Sequence, residues 1–231
     1  MKTICRLPLH WLLPGIIAFH VLVSCASLDV PAQRDPAAQA RLSSAAEVAR
    51  VQEKLAEGGN YVLGRRELVI RGRRFNMDCT GTVLAIYYYA GIDLARDFGR
   101  YSGGGVMRLY KSLEAEGLVY ETRTPATGDI IFWDNTYDRN GDGQWNDALT
   151  HVGMVMGSAE DGTIDYVHLN YRKGIIIEHM NLDSPDVHQS AERGQMRIVN
   201  SPMRMKQEGR AHSERWLASH LYRNFGMGYL F

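Results

Sequence analysis

The chain opens on a mostly apolar run, Leu7 to Val23, behind Lys2 and Arg6 and with no acid before Asp29. Pro8, His10, Pro14 and His20 interrupt it, which suits a secretory leader better than a membrane-spanning helix. Residues 26–42 are rich in Ala, Pro and Gln and show no sustained apolar period, as expected of a tether. Val48, Val51 and Leu55 then repeat at helical spacing. Ser43 or Ser44 is the expected cap, Glu47 completes a capping box, and Gly58-Gly59 is the expected stop.

Residues 79–90 (CTGTVLAIYYYA) are nearly all apolar and close on Gly91. This run is long for a strand and reads as a buried helix with Cys79 at its N-terminus. Val106–Glu116 reads as an amphipathic helix through Met107, Leu109, Tyr110 and Leu113. Strand-like segments rich in Val, Ile and Tyr follow at Asp129–Trp133, Val152–Met156, Thr163–Leu169, Gly174–His179 and Gln195–Val199. The basic, aromatic tail from Pro202 predicts a helix around Ser213–Tyr222 and then a short strand or extension. Helices first and an antiparallel sheet afterwards is an α+β pattern.

Composition narrows the function classes. The 231 residues are 45% hydrophobic and 23% charged, with 26 Lys+Arg against 26 Asp+Glu. That is ordinary globular material, without the basic excess of a generic nucleic-acid binder. Removing residues 1–24 takes away Lys2 and Arg6 and no acid, leaving a net charge of −2.

The three cysteines cannot all pair with one another. Leu22-Val23-Ser24-Cys25 resembles the bacterial lipobox, in which the cysteine is lipidated and becomes the first residue of the mature protein. That resemblance implies an exported lipoprotein, anchored to the lipid bilayer through Cys25 and facing the periplasm or cell wall. Cys5 leaves with the leader, and Cys79 remains as a lone thiol.

A thiol at a helix N-terminus and beside a histidine is a candidate nucleophile, because both environments favour the thiolate. Thr80 and Gly81 are small enough to let a substrate approach the backbone, and the Cys79 N–H is a candidate oxyanion donor. His151 begins one apolar strand and His168 lies in the next. A hairpin between them brings both rings to neighbouring positions, as a base and the group that orients it. His179, His188, His212 and His220 sit in polar or tail contexts and read as surface residues.

Five motifs then fall in order: Tyr61-Val62-Leu63-Gly64, Asp78-Cys79-Thr80-Gly81, Gly128-Asp129-Ile130-Ile131-Phe132, His151-Val152-Gly153-Met154-Val155, and His168. Together, from about Gly58 to about Asn170, they resemble the NlpC/P60 cell-wall cysteine peptidases. The resemblance implies a papain-like fold, with N-terminal helices packed on a central antiparallel β-sheet. It implies Cys79 as nucleophile, His151 as base and His168 as the orienting residue. Tyr61, Asp78 and Thr80 are then substrate-binding residues. The implied reaction is cysteine-peptidase hydrolysis of peptidoglycan stem peptides, at the bond after γ-D-Glu, with no cofactor for catalysis. An N-acetylmuramoyl-L-alanine amidase, an acyltransferase of the same superfamily, and a non-catalytic wall-binding lipoprotein are the alternatives. Two departures from the family pattern are Thr80 in place of the usual serine and Leu63 where an aromatic is common.

A third departure is the long segment 134–149. Asp138, Asn140, Asp142, Gln144 and Asn146 fit alternate positions of a calcium loop around Gly143. Leu149 stands where the last, bidentate Glu belongs, and Asp147 is the nearby substitute. A structural Ca²⁺ is one expectation and a solvated turn-rich loop the other. Gly103-Gly104-Gly105 lacks the Lys and Ser/Thr of a phosphate loop and reads as a cleft edge. Cys79, His151 and His168 lack the four-ligand spacing of a zinc site. Arg65, Arg66, Arg71, Arg73 and Arg74 read as a solvated basic loop, able to attract anionic polymer or lipid headgroups. The expected organisation is a leader 1–24, a tether 25–42 and one catalytic domain 43–231, with a C-terminal extension at 200–231.

Overall fold

In the computed structural model, residues 36–192, 194–205 and 214–231 are described. The leader 1–24 and Cys25 lie outside them. Helix α1 spans Pro36–Val62, so it starts inside the expected tether and runs straight through Gly58-Gly59. The glycines are points of close approach rather than a stop. A Cβ on Gly58 would lie 3.0 Å from the Ile86 carbonyl oxygen, and one on Gly59 would lie 2.4 Å from the Met156 sulfur. Each glycine costs a helix interior about 1 kcal/mol relative to alanine. Here it lets α1 sit against its neighbours and bury Leu55 and Val62.

The expected basic loop is instead a hairpin, β1 (Leu68–Ile70) with β2 (Arg73–Phe75). Arg71 and Gly72 both have positive φ, the signature of a tight two-residue turn. Leu68, Ile70 and Phe75 face the core while the arginines point outward.

Helix α2 spans Cys79–Ala90, as its apolar run predicts. Asp78 caps it, its carboxylate accepting the Gly81 N–H at 2.6 Å, and Gly91 closes it in the left-handed conformation. Both ends are local chemistry. Helix α3 spans Gly105–Ala115 and buries Val106, Leu109, Tyr110 and Leu113.

After a short β3 (Val119–Tyr120) come β4 (Ile130–Trp133), β5 (His151–Ser158), β6 (Thr163–Asn170) and β7 (Gly174–Asn181). A small ribbon of β8 (Gln189–Glu192) and β9 (Gln195–Ile198) stands apart from them. The tail gives only a four-residue helix, α4 (Ala218–Leu221), leading directly into β10 (Tyr222–Gly226). The sheet order is β3-β10-β4-β5-β6-β7, all antiparallel. The C-terminal extension is therefore an interior strand of the sheet. Phe225 is fully buried there and Arg223 pairs with Asp134 at 2.8 Å.

The architecture is α+β. Ile130 and Phe132 of β4 pack under the helices with Val83, Ile86, Val152, Met154 and Val167. Ile131 and Trp133 pack on the opposite face with Val155, Tyr166 and Phe225.

Candidate active site

Cys79 is the first residue of α2, and its helix packs across β5 and β6. The register of β5 with β6 begins at Met154, three residues after His151. The Val152 N–H of β5 and the hydroxyl and N–H of Thr80 favour the Cys79 thiolate in part. The Gly81 and Thr82 N–H groups are taken by Asp78. The Cys79 N–H has no protein acceptor among the described residues, which suits an oxyanion donor.

Gly81 is required at its place. A Cβ there would come within 2.1 Å of the Asn76 carbonyl oxygen. The first turn of α2 is thus pressed against the segment that delivers the cysteine.

His151 opens β5, and its register partner is Trp133 on β4. Their rings lie 5.7 Å apart, and Trp133 is held by its indole N–H donating to the Ala218 carbonyl at 3.0 Å. His151 Nε2 lies 2.8 Å from Nδ1 of His168, with the two rings at right angles. Gly153 makes room for this pair, since a Cβ there would approach the His168 Cβ and the Trp133 ring to 3.2 Å.

Behind His168 stands Glu178 of β7, a residue that the sequence reading passed over. Its Oε2 lies 3.0 Å from His168 Nε2. Lys173 donates to its Oε1 at 3.0 Å and the Asn170 amide at 3.4 Å. The available signal was an acid directly following Ile175-Ile176-Ile177 in an apolar strand.

The electrostatics revise one expectation. Burial first, and the Asp78 charge second, push the Cys79 thiol above its ordinary value, although Val152 and Thr80 offset part of this. Burial, helped by the neighbouring His168, pushes His151 well below its ordinary value. The helix terminus alone does not produce a resting thiolate. The resting pair is a neutral thiol and a neutral imidazole, with no hydrogen bond between sulfur and ring among the described contacts. Proton transfer to His151 then accompanies attack. Burial also raises Glu178, but the hydrogen bonds from His168 and Lys173 and the Lys173 charge outweigh it and hold the carboxyl below its ordinary value.

The other expected substrate residues divide. Asp78, Thr80 and Gly81 line a depression of about 370 Å³ whose walls also carry Arg73, Arg74 and Arg108. Arg73 is paired with Asp93 and Arg74 with Glu67. Arg108 has no ion pair among the described residues; its Nε donates to the Gly103 carbonyl at 2.8 Å, which steadies the guanidinium on the Gly103–Gly105 edge. Tyr61 is not in this depression. It packs on Tyr89 at 5.3 Å and under Arg65 at 3.7 Å, lining a separate hollow. Tyr89 lies ten residues along α2 from Cys79, or about 15 Å at helical rise. The structure does not bring Tyr61 to the thiol, because α1 runs on to Val62 instead of stopping at its glycines.

The calcium-loop residues close on one another. Asp138 accepts from the Gly141 and Gly143 N–H groups, and Asp142 from Gln144 N–H and the Asn140 and Asn146 amides. Asp147 is buried and turned to Arg139, whose N–H it accepts at 3.1 Å. Among the described residues no group of three or more His, Cys, Asp or Glu side chains is placed to hold a metal ion. No chemistry at Cys79 is routed through this loop.

No family model, curated protein or solved structure matches the chain.

Proposed function

We propose that this protein is a cell-wall cysteine hydrolase with the papain-like fold of the NlpC/P60 peptidases, cutting an amide bond in peptidoglycan stem peptides. The observation that carries the reading is Cys79 at the head of α2, a helix packed on β5, the strand that His151 opens with its ring hydrogen-bonded to the buried His168. In this mechanism His151 takes the thiol proton as sulfur attacks the carbonyl carbon. The Cys79 N–H receives the oxyanion, the imidazolium protonates the leaving amine, and water activated by His151 releases the acyl group.

The arginine-lined depression beside Asp78 supports a peptide substrate bearing a free carboxylate, the chemistry of a γ-linked D-Glu. The leader and lipidated Cys25 belong to the same proposal: they place the enzyme on a membrane facing the wall. Ca²⁺ is proposed only as a structural ion of the loop 134–149, with no part in catalysis.

Digestion of defined muropeptides by the wild type and a Cys79→Ala variant, with and without EDTA, tests the reading. Product masses should show cleavage after γ-D-Glu, lost in the variant and retained in EDTA. Cleavage between muramic acid and L-Ala would assign an amidase instead. Equal product from the variant would overturn the reading.

A further inference from the structure

The proposed chemistry uses Cys79, His151 and His168, but the hydrogen-bonded chain extends further. Glu178 is 5% exposed, and its carboxylate is 3.0 Å from His168 Nε2. Lys173 and Asn170 occupy its other oxygen. An ionised carboxylate only accepts hydrogen bonds, so the proton on this contact sits on His168 Nε2. A neutral imidazole carries one N–H, which leaves His168 Nδ1 as an acceptor. The 2.8 Å contact then requires His151 Nε2 to be the donor. His151 Nδ1 is left bare.

We propose that Glu178 is a positioning residue: through the buried His168 ring it fixes the tautomer of His151, so that the nitrogen left free to take the Cys79 proton is unprotonated. Without the carboxylate, His168 is free to protonate Nδ1 instead and donate to His151 Nε2. The His151 proton then moves to Nδ1 and blocks the base. In the attack step the S–H bond breaks as the sulfur–carbon bond forms, and the proton goes to His151 Nδ1. Both Nε2 protons stay where they were, and Glu178 is never protonated. Its negative charge, steadied by Lys173, faces the imidazolium across one ring.

This inference rests on the proposed hydrolase reading for its kinetic consequence but not for its structural one. Nitrogen-15 NMR of the imidazole rings at neutral pH tests the structural part without substrate. Both His151 and His168 should carry their proton on Nε2 in the wild type, and Glu178→Gln, whose amide both donates and accepts, should give mixed tautomers. An Nδ1 proton on either ring of the wild type overturns the proposal, as does an unchanged pattern in Glu178→Gln. Kinetics on muropeptides give the second readout. Turnover in Glu178→Gln should fall about 10- to 100-fold with little change in KM, and an unchanged turnover overturns the assigned role. A wild type that cleaves no muropeptide fails the hydrolase reading alone, since the tautomers are read independently.

Discussion

His151 Nε2 and His168 Nδ1 lie 2.8 Å apart with their rings perpendicular, a contact in which one nitrogen donates and the other accepts. The Trp133 ring lies beside His151 and the Tyr166 ring beside His168, and Gly153 leaves room for the pair. Replacing His168 by alanine should therefore leave Cys79 in place but release His151. Turnover should fall about 10²- to 10⁴-fold while far-ultraviolet circular dichroism stays unchanged. His168→Asn, which keeps a polar partner, should recover part of the loss. Steady-state kinetics on a muropeptide decide this, and an alanine variant of full activity would remove His168 from the site.

The pH dependence follows from the two shifts. His151 is held well below its ordinary value of 6.5, and Cys79 above its ordinary value of 9.0. Catalysis by the neutral pair should give a kcat/KM profile with a wide plateau, its acid limb below pH 6.5 and its alkaline limb above pH 9. The stability linkage has a definite sign. A histidine kept neutral in the fold binds a proton more readily when unfolded, so its contribution is complete above pH 6.5 and is lost as pH falls below it. An acid limb above pH 6.5 in the rate profile contradicts this electrostatic picture.

Gly81 should not tolerate a side chain. A Cβ placed 2.1 Å from the Asn76 carbonyl oxygen forces the capping turn off α2. Gly81→Ala should cost about 1–3 kcal/mol in denaturant unfolding and reduce turnover, because the displaced turn carries Cys79. Wild-type stability in this variant would contradict the packing described around the nucleophile.

Arg108 is the arginine of the depression with no ion pair among the described residues, and its guanidinium is held by the Gly103 carbonyl. A substrate carboxylate bound there contributes about 1.5–3 kcal/mol. Arg108→Ala should accordingly raise KM about 10- to 100-fold with a modest change in kcat. A muropeptide amidated at that carboxyl should lose affinity for the wild type and show little further loss in the variant. Equal KM for both proteins would place substrate elsewhere.

Helix α2 was legible to the residue because its determinants are local: the Asp78 cap, twelve nearly continuous apolar positions and Gly91. Strands β4 to β7 were legible for the same reason, as Val- and Ile-rich runs between turn residues. Gly58-Gly59 misled because their reason is tertiary, the close approach to Ile86 and Met156. The β1–β2 hairpin was hidden by its arginines and three-residue strands. The tail's expected helix and following strand are both present, but the helix keeps only Ala218–Leu221, because Tyr222–Gly226 is claimed by a gap between β3 and β4, over a hundred residues earlier in the chain in the case of β3. At the candidate site, the meeting of His151 with His168 was readable from their places on consecutive strands. Glu178 was not, because its partner His168 lies across the β6–β7 pairing, where only register brings them together. The upward shift of the thiol was missed for a related reason: burial under the folded chain outweighs the local effect of the helix end.

The central claim is that Cys79 is the nucleophile of an amide hydrolase acting on the wall. Its most direct measurement is the initial rate of amine release from purified peptidoglycan by the wild type, Cys79→Ala and Cys79→Ser in parallel. The account predicts steady release by the wild type and none above background by the alanine variant. The serine variant should be reduced by several orders of magnitude, because His151 must then deprotonate a far weaker acid. Release by the alanine variant at the wild-type rate, or none by a folded wild type, would contradict it.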